Sequence, residues 1–145
     1  SLCERGINVD LEAEKLNLLE SFPKIDVVIA TGCIGYIGYK AFSNLLKVIK
    51  NRQSNSIESE KEYVAPIFAF SVLRMFDMDD IKEVFEMYNY SIVKSDIKPI
   101  RQRNFSDPKE KTETISILHD MGIDTKKYED EGNFYADFYI AKSKN

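Results

Sequence analysis

The feature that most constrains the fold is the run from Asp26 to Ala30, which is rich in valine and isoleucine and shows no alternation of apolar and polar residues. This pattern suits a strand that is buried on both faces, as in a parallel sheet. Gly32, Gly35 and Gly38 follow it. Their spacing is G-x-x-G-x-x-G, which differs from the dinucleotide fingerprint G-x-G-x-x-G, and no basic residue follows as in a P-loop. The run therefore predicts a buried strand and a close strand-to-helix turn without a phosphate-loop signature.

Two amphipathic helices and a second buried strand are predicted next. The first helix is expected to end at the polar stretch KNRQSNSIESEKE. The apolar run from Val64 to Leu73 predicts a strand. Asp77 is the expected N-cap of the second helix, and Asp79 and Asp80 suit the positive end of its dipole. The apolar stripes are Phe42, Leu45, Leu46 and Ile49 in the first helix and Ile81, Val84, Phe85 and Tyr88 in the second.

The last third of the chain predicts an edge strand and a third helix. The stretch that begins at Ser91 is strand-like but polar, and Pro99 predicts that it lies at a sheet edge or leaves the sheet there. Asp107, Pro108 and Glu110 suit the N-cap, N1 and N3 positions of the helix. The predicted apolar face of this helix is Ile117, Leu118 and Met121, and its predicted C-cap is Gly122.

The clearest strand is the final stretch NFYADFYIAKSK, in which every second residue from Phe134 to Ile140 is apolar. Residues 2–20 stay ambiguous, because Ile7, Val9 and Leu11 alternate as in a strand while LEAEKLNLLE has the composition of a helix. Strands and helices otherwise alternate without a dividing linker. We therefore expect a single α/β domain over residues 1–145.

Composition excludes several classes of protein. The formal net charge of −4 gives the chain no general attraction for nucleic acid or anionic membranes. No apolar segment approaches the roughly 20 residues that span a bilayer, and no signal peptide is recognisable, so we expect a soluble, cytoplasmic protein. A zinc site of standard spacing is excluded, because the chain has one histidine and no C-x-x-C. Whether Cys3 and Cys33 form a disulfide stays open.

The first candidate site is the segment with Gly32, Gly35 and Gly38 that follows the predicted strand, called the glycine turn below. The carboxyl end of a parallel strand faces the crevice where open α/β sheets bind ligands, and small residues let a ligand approach. The equal alternative is a tight turn whose glycines only satisfy backbone geometry. Tyr36 could cover a ring of the ligand or pack on its own helix. The residues predicted to line a cofactor are Thr31, Gly32, Cys33, Gly35 and Tyr36.

Three arginines are candidate substrate-binding residues. Arg74 follows the second buried strand and so lies on the same rim as the glycine turn. Arg101 and Arg103 are predicted to point to one face of the edge strand. Each guanidinium could bind a carboxylate or a phosphate. The alternatives are a surface pair of Arg74 with Asp77 or Asp79 and, for the other two arginines, charges that keep the edge strand from pairing.

No catalytic residue is assigned from the sequence. His119 has no identifiable partner and is expected to be solvated, and Cys33 has no histidine nearby in the sequence. The acidic stretch YEDEGN lacks the ligand spacing of an EF-hand loop, so we expect a solvated turn there and no metal site.

The order of these patterns resembles a known family. The stretch IDVVIATGCIGYIGYKAFSNLLKVIK resembles the fourth strand and following helix of class I S-adenosylmethionine-dependent methyltransferases. APIFAFSVL resembles their fifth strand, DMDDIKEVFEMYNYSIVKSDI the next helix and sixth strand, and FYADFYIAKSK the antiparallel seventh strand, which pairs with the sixth. The resemblance covers residues 25–145. It implies a Rossmann-like three-layer sandwich with a mostly parallel sheet, in which the glycine turn passes along S-adenosylmethionine.

The sequence lacks the main cofactor motif of this family. The glycine-rich turn after the first strand and the acidic residue that ends the second strand have no counterpart, so the chain resembles the carboxyl-terminal part of such a domain, with the amino-terminal strands missing. In the family the first strand lies beside the fourth, and its absence would leave one edge of residues 26–30 open. Because an open apolar edge recruits another strand, we expect a homo-oligomer or a further amino-terminal segment to cover it.

Three functions follow from these expectations. The first is a methyltransferase-like domain that acts on a small molecule and binds its cofactor weakly or not at all on its own. The alternative is a non-enzymatic module for dimerisation or interaction. The third is a domain that binds small anions through Arg74, Arg101 and Arg103.

Overall fold

The structure is a computed structural model that describes residues 10–11, 25–32, 34–57 and 64–144. The alternatives for residues 2–20 and the pairing of Cys3 with Cys33 fall largely outside these ranges. The described strands are β1 (Val27–Ala30), β2 (Ile67–Leu73), β3 (Tyr90–Lys94), β4 (Ile100–Asn104) and β5 (Asn133–Ser143). The described helices are α1 (Ile34–Ile57), α2 (Asp79–Met87) and α3 (Pro108–Asp120), and a 3₁₀ turn spans Glu129–Glu131.

The strands form an open mixed sheet in the order β1-β2-β5-β3, and β4 pairs with β5 as well. β1 and β2 are parallel, whereas β5 runs antiparallel to β2, β3 and β4. β3 and β4 share one edge of β5, since Tyr139 pairs with both Phe70 and Lys94, and Ala136 with both Leu73 and Ile100. The expected α/β class is therefore confirmed. The predicted third strand is split in two, and the chain leaves the sheet around Pro99. This agrees with the prediction, because proline has no N–H to donate to a neighbouring strand.

The main core lies between one face of this sheet and the helices α1 and α2. At its centre the Phe85 ring of α2 contacts Phe68 edge-on at 5.0 Å between centroids and stacks on Phe70 at 5.7 Å. Both predicted stripes face this core, with Leu45 and Tyr88 only partly buried. The apolar periodicity of these two helices was therefore a reliable guide to their buried faces.

Helix boundaries depart from the predictions at two places. α1 continues to Ile57, through most of the stretch that was expected to be a loop. That stretch has no glycine or proline between Lys50 and Ile57, so no residue stops the helix. The N-cap position of α2 belongs to Met78, but the Asp77 carboxylate still accepts a hydrogen bond from the Asp79 N–H at 2.9 Å.

The start of α3 matches the prediction, its end lies within one residue of it, and its apolar face differs. Asp107 Oδ1 accepts a hydrogen bond from the Glu110 N–H at 2.8 Å. The C-cap is Met121 and not Gly122, but Gly122 follows it with a left-handed φ of +72°, which is common just after a helix. The buried side chains are Thr114 and Leu118. Two residues of the predicted face, Ile117 and Met121, are 39% and 42% exposed. α3 buries this narrower face because it packs beside the 3₁₀ turn and Met75, not across the sheet.

Gly38 breaks α1 near its start. Its φ of 60° and ψ of −174° lie outside the helical region, in a conformation that only glycine adopts without strain. A Cβ atom at this position would meet nothing within 4 Å, so a side chain is disfavoured by backbone conformation and not by space. Glycine is therefore favoured at position 38, the last of the three glycines, by the backbone conformation.

We expect Gly38→Ala to lower the free energy of unfolding by about 1–3 kcal/mol, the usual cost of such a backbone conformation for a residue with a side chain. Urea unfolding at neutral pH measures the loss. Lys40→Ala, at an exposed position of the same helix, is the matched control and is expected to change stability by less than about 0.5 kcal/mol. Equal stability of the two variants would contradict a break at Gly38.

The other face of the sheet carries an apolar row across four strands. The row consists of Ile29, Ala69, Ile140 and Val93, which are partners in register from β1 to β3. Its ends are open to solvent, with Ile29 72% and Val93 63% exposed. β1 pairs with β2 alone among the described strands. The prediction that residues 26–30 are buried on both faces is thus wrong for the described part of the chain, because the described helices α1 and α2 cover one face only.

Candidate functional site

The carboxyl ends of β1 and β2 lie side by side, because the two strands are parallel neighbours. The glycine turn follows β1, and residues 74–76 follow β2, so both segments meet at one rim of the sheet. Gly32 has a left-handed φ of +71°, and its N–H donates a hydrogen bond to Ser71 Oγ at 3.4 Å. A residue with a side chain would be strained at position 32.

Phe76 packs directly on Gly35. A Cβ atom built at Gly35 would overlap the Phe76 ring. The absence of a side chain at position 35 is therefore required by a neighbouring ring, whereas Gly32 and Gly38 are required by their backbone conformation. In this structure the group that lies close to the backbone of the turn is the Phe76 ring.

A cavity of about 10 Å³ lies between the glycine turn and the end of β2. This is about the space of a single water molecule. All its lining residues are uncharged, and they include Gly32, Gly35, Ser71, Leu73, Phe76 and Gln102. With Phe76 in place, this cavity has no room for a ligand larger than water.

The structure brings two of the predicted cofactor residues to this cavity. Gly32 and Gly35 line it, and Thr31 is exposed directly after β1. Cys33 lies outside the described residues. Tyr36 belongs to α1, but its side chain lies outside the description.

Arg74 is held in a buried ion pair and not at the surface. Its Nη1 lies 2.8 Å from Glu129 Oε2, and the two side chains are 8% and 1% exposed. Its Nη2 donates to the backbone oxygen of Asp124 at 2.9 Å, and the guanidinium lies 4.6 Å from the centroid of the Tyr128 ring. The alternative that Arg74 pairs at the surface with Asp77 or Asp79 is therefore wrong, because its partner is the buried Glu129. The expectation of a wholly solvated turn at YEDEGN is also wrong, because Glu129 points inward.

Two buried carboxylates near Arg74 were missed by sequence reasoning. Burial raises the pKa of Glu129, and the charges of Asp137 and Asp130 raise it further, while Arg74 opposes the shift. Asp137, on β5, accepts a hydrogen bond from Lys94 Nζ at 2.6 Å through Oδ2. Glu129 Oε1 and Asp137 Oδ1 are buried without a hydrogen-bond partner among the described residues. No local pattern marks these acids, since Glu129 is buried beside Arg74, far away in the sequence, and Asp137 lies on β5 between β2 and β3.

Arg101 and Arg103 do not point to one face, because β4 has a register shift between Arg101 and Asn104. Arg101 Nε donates to Asn133 Oδ1 at 2.9 Å. The Arg103 guanidinium lies 4.6 Å from the centroid of the Phe134 ring and forms two hydrogen bonds with Glu110, at 2.6 and 3.0 Å. Asn133 and Phe134 are consecutive on β5 and so face opposite sides of the sheet. The bulge therefore separates the two arginines that alternation had placed together.

Glu110 supplies a pH-dependent prediction. Hydrogen bonds from Arg103 and from the Ser106 N–H lower the pKa of Glu110 from 4.5 to about 2. A lowered pKa stabilises the fold above pH 4.5, and this contribution is lost as the pH falls toward 2. We expect Glu110→Gln to be less stable than the wild type at pH 7 and equally stable near pH 2, as measured by urea unfolding across that range. Glu113→Gln on the same helix controls for loss of a carboxylate, and a Glu110→Gln difference that is constant with pH would contradict the assignment.

The described residues offer no other catalytic or metal cluster. His119 is exposed, and its Nε2 lies 3.2 Å from Thr125 Oγ1. No group of three His, Cys, Asp or Glu side chains in the described ranges could hold a metal ion.

None of the described helices is long and apolar enough to cross a membrane. Comparisons of this chain with protein-family models, with curated proteins and with solved structures find no match.

Proposed function

We propose that this chain is an S-adenosylmethionine-dependent methyltransferase-like domain that corresponds to the carboxyl-terminal part of that fold. The observation that supports the proposal is the position of β5, which runs antiparallel to β3 and lies between β2 and β3 in the sheet. The resemblance implies this pairing for the seventh and sixth strands of the family. α1 and α2 follow β1 and β2 in the chain, as the resemblance also implies.

The apolar row of Ile29, Ala69, Ile140 and Val93 supports the same proposal. A Rossmann-like three-layer sandwich covers both faces of its sheet with helices, and apolar side chains on the second face are what such a layer buries. The described helices α1 and α2 supply one layer. The exposed row is the surface on which the second layer of the proposed fold would pack.

The rim is suited to the chemistry of methyl transfer. Transfer from a sulfonium needs little acid–base catalysis, since the site mainly aligns the methyl group with its acceptor and excludes water. The rim of β1 and β2 has an uncharged lining and a backbone turn that a cofactor can approach. The proposed cofactor contacts are Thr31, Gly32, Cys33, Gly35 and Tyr36.

Thermal unfolding with and without S-adenosylhomocysteine tests the proposal. A ligand at about a hundred times its dissociation constant adds roughly 2.7 kcal/mol to stability. Gly32→Ala and Gly122→Ala form a matched pair, because both positions have a left-handed φ, of +71° and +72°. We expect both substitutions to destabilise the protein, but only Gly32→Ala to reduce the cofactor shift. If S-adenosylhomocysteine does not raise the unfolding temperature of the wild-type protein, this chain does not bind the cofactor on its own.

A second candidate function is an interaction module that pairs two copies through β1. The edge formed by β3 and β4 carries Lys94, Pro99, Arg101 and a bulge, which are devices that prevent pairing between sheets. The four residues of β1 include no charge, proline or bulge. This contrast favours a partner strand on the β1 edge, and a second copy could supply it with two-fold symmetry.

Sedimentation analysis of the wild type and Ile29→Lys tests the pairing. We expect a dimer for the wild type and a monomer for the variant, because a lysine on the open face of β1 opposes apolar contact between copies. Val64→Lys, at an exposed apolar position before β2, is the control and should stay dimeric. A monomeric wild type at all concentrations would eliminate this function.

A further inference from the structure

We propose that the ligand bound beside the cofactor at this rim is a neutral, planar ring that binds by displacing the Phe76 ring from Gly35. The inference rests on the proposed function, because it names the chemical class of the methyl acceptor. It also assigns to Phe76 a role in specificity, as a side chain that covers the site until the ligand replaces it.

The first support is the position of Phe76. Its ring fills the space above Gly35 at the junction of β1 and β2, where an open sheet binds ligands. The side chain is only partly buried and packs at the margin of the core, so it can leave without opening the core. Once it leaves, the cavity beside Gly32 and the volume of the ring merge into one space. The part of that space that Phe76 vacates has the dimensions of a flat six-membered ring.

The second support is the chemistry of the lining. The residues around the cavity are uncharged, and the polar side chains among them are Ser71 and Gln102. Ser71 is nearly fully buried, and its hydroxyl accepts a long hydrogen bond from the Gly32 N–H, at 3.4 Å. A hydroxyl and an amide can exchange hydrogen bonds with the ring nitrogen or N–H group of a heterocycle. The apolar wall formed by Leu73 suits the ring itself.

The third support is the engagement of the candidate arginines by internal partners. Arg74 pairs with buried Glu129, and Arg103 forms two hydrogen bonds with Glu110. Arg101 donates to Asn133 and Asn104. A carboxylate or phosphate ligand could recruit Arg74 only by breaking a buried ion pair. A neutral ligand needs no such rearrangement, so these pairings select against anions.

The test titrates wild-type protein, Phe76→Ala and Phe105→Ala with indole, benzoate and inorganic phosphate, and follows the backbone amide signals of Gly32 and Gly35 by NMR. Phe105 is also partly buried but packs on Phe134, at 4.5 Å between ring centroids, and serves as the matched control. Indole is expected to bind Phe76→Ala about threefold or more tightly than the wild type, because no closed population then reduces the apparent affinity. Phe105→Ala should match the wild type. Benzoate and phosphate should bind about tenfold or more weakly than indole, since an anion gains no partner in an uncharged site.

Equal indole affinity for all three proteins would overturn the role of Phe76, and tighter binding of benzoate or phosphate than of indole would overturn the neutral class. If Phe76→Ala does not fold, Phe76→Leu tests the same direction with a smaller vacated volume. The S-adenosylhomocysteine shift in the same proteins separates this inference from the proposed function. A cofactor shift without indole binding removes the neutral acceptor and leaves the methyltransferase proposal. Indole binding without a cofactor shift removes cofactor binding by this chain, and with it the role of the ring as a methyl acceptor.

Discussion

Replacing Arg74 by methionine is expected to lower the free energy of unfolding by about 3–5 kcal/mol at pH 7, because Glu129 would remain buried without its charged partner. Burial raises the pKa of Glu129, so its ionisation opposes folding. The stability that accompanies a raised pKa is complete below the ordinary value of 4.5 and is lost as the pH rises through the folded value. The loss caused by Arg74→Met should therefore shrink toward pH 4. Urea unfolding at several pH values measures both effects.

The double variant Arg74→Met/Glu129→Leu distinguishes a broken ion pair from lost packing. Replacing both members of a buried pair by apolar residues is often neutral or stabilising. We therefore expect the double variant to recover most of the stability that the single variant loses. Arg103→Met is the control for an arginine in an exposed pair, and its loss should be much smaller. A double variant as unstable as Arg74→Met would contradict this account of the Arg74–Glu129 pair.

Phe85→Ala is expected to lower the free energy of unfolding by about 3–5 kcal/mol, the usual cost of removing a buried ring. Phe85 is fully buried, and its ring contacts the rings of Phe42, Phe68, Phe70 and Tyr90. The loss includes the transfer of the ring and the cavity that it leaves among rigid neighbours. Thermal and urea unfolding measure it.

Met87→Ala on the same helix is the matched control for Phe85→Ala. Met87 is 63% exposed, so its truncation should change stability by less than about 0.5 kcal/mol. A comparable loss for the two variants would mean that α2 does not present Phe85 to the core. The contrast also tests the stripe that the sequence predicted for this helix.

The engagement of the arginines changes which functions the site favours. From the sequence, Arg74, Arg101 and Arg103 were candidates for binding an acidic substrate. In the structure each guanidinium contacts groups of the protein itself, and the rim that Arg74 adjoins is lined by uncharged residues. An anion-binding domain therefore needs rearrangements that a neutral ligand does not.

Features that depend on neighbouring residues could be predicted from the sequence alone. The Asp107 cap, Pro108 at the first position of α3 and the left-handed Gly122 at its end depend on a few consecutive residues. The first two were predicted correctly, and Gly122 lies one residue beyond the C-cap position that was predicted for it. The same holds for the buried faces of α1 and α2, since apolar residues that recur with the helical period face the core whatever the rest of the fold is. The alternation along β5 likewise predicted the longest described strand.

Features that depend on distant residues were decided only by the tertiary structure. The overlap that excludes a side chain at Gly35 comes from Phe76 in the turn after β2, and the burial of Glu129 comes from its pairing with Arg74 in the same turn. The bulge in β4 is set by its pairing with β5, and it places Arg101 and Arg103 against different partners. Composition and spacing determined the α/β class and most helix faces, because propensity and periodicity act over a few residues. Strand order, buried charge and the packing of Phe76 on Gly35 required the whole fold, because each depends on contacts between segments that lie far apart in the sequence.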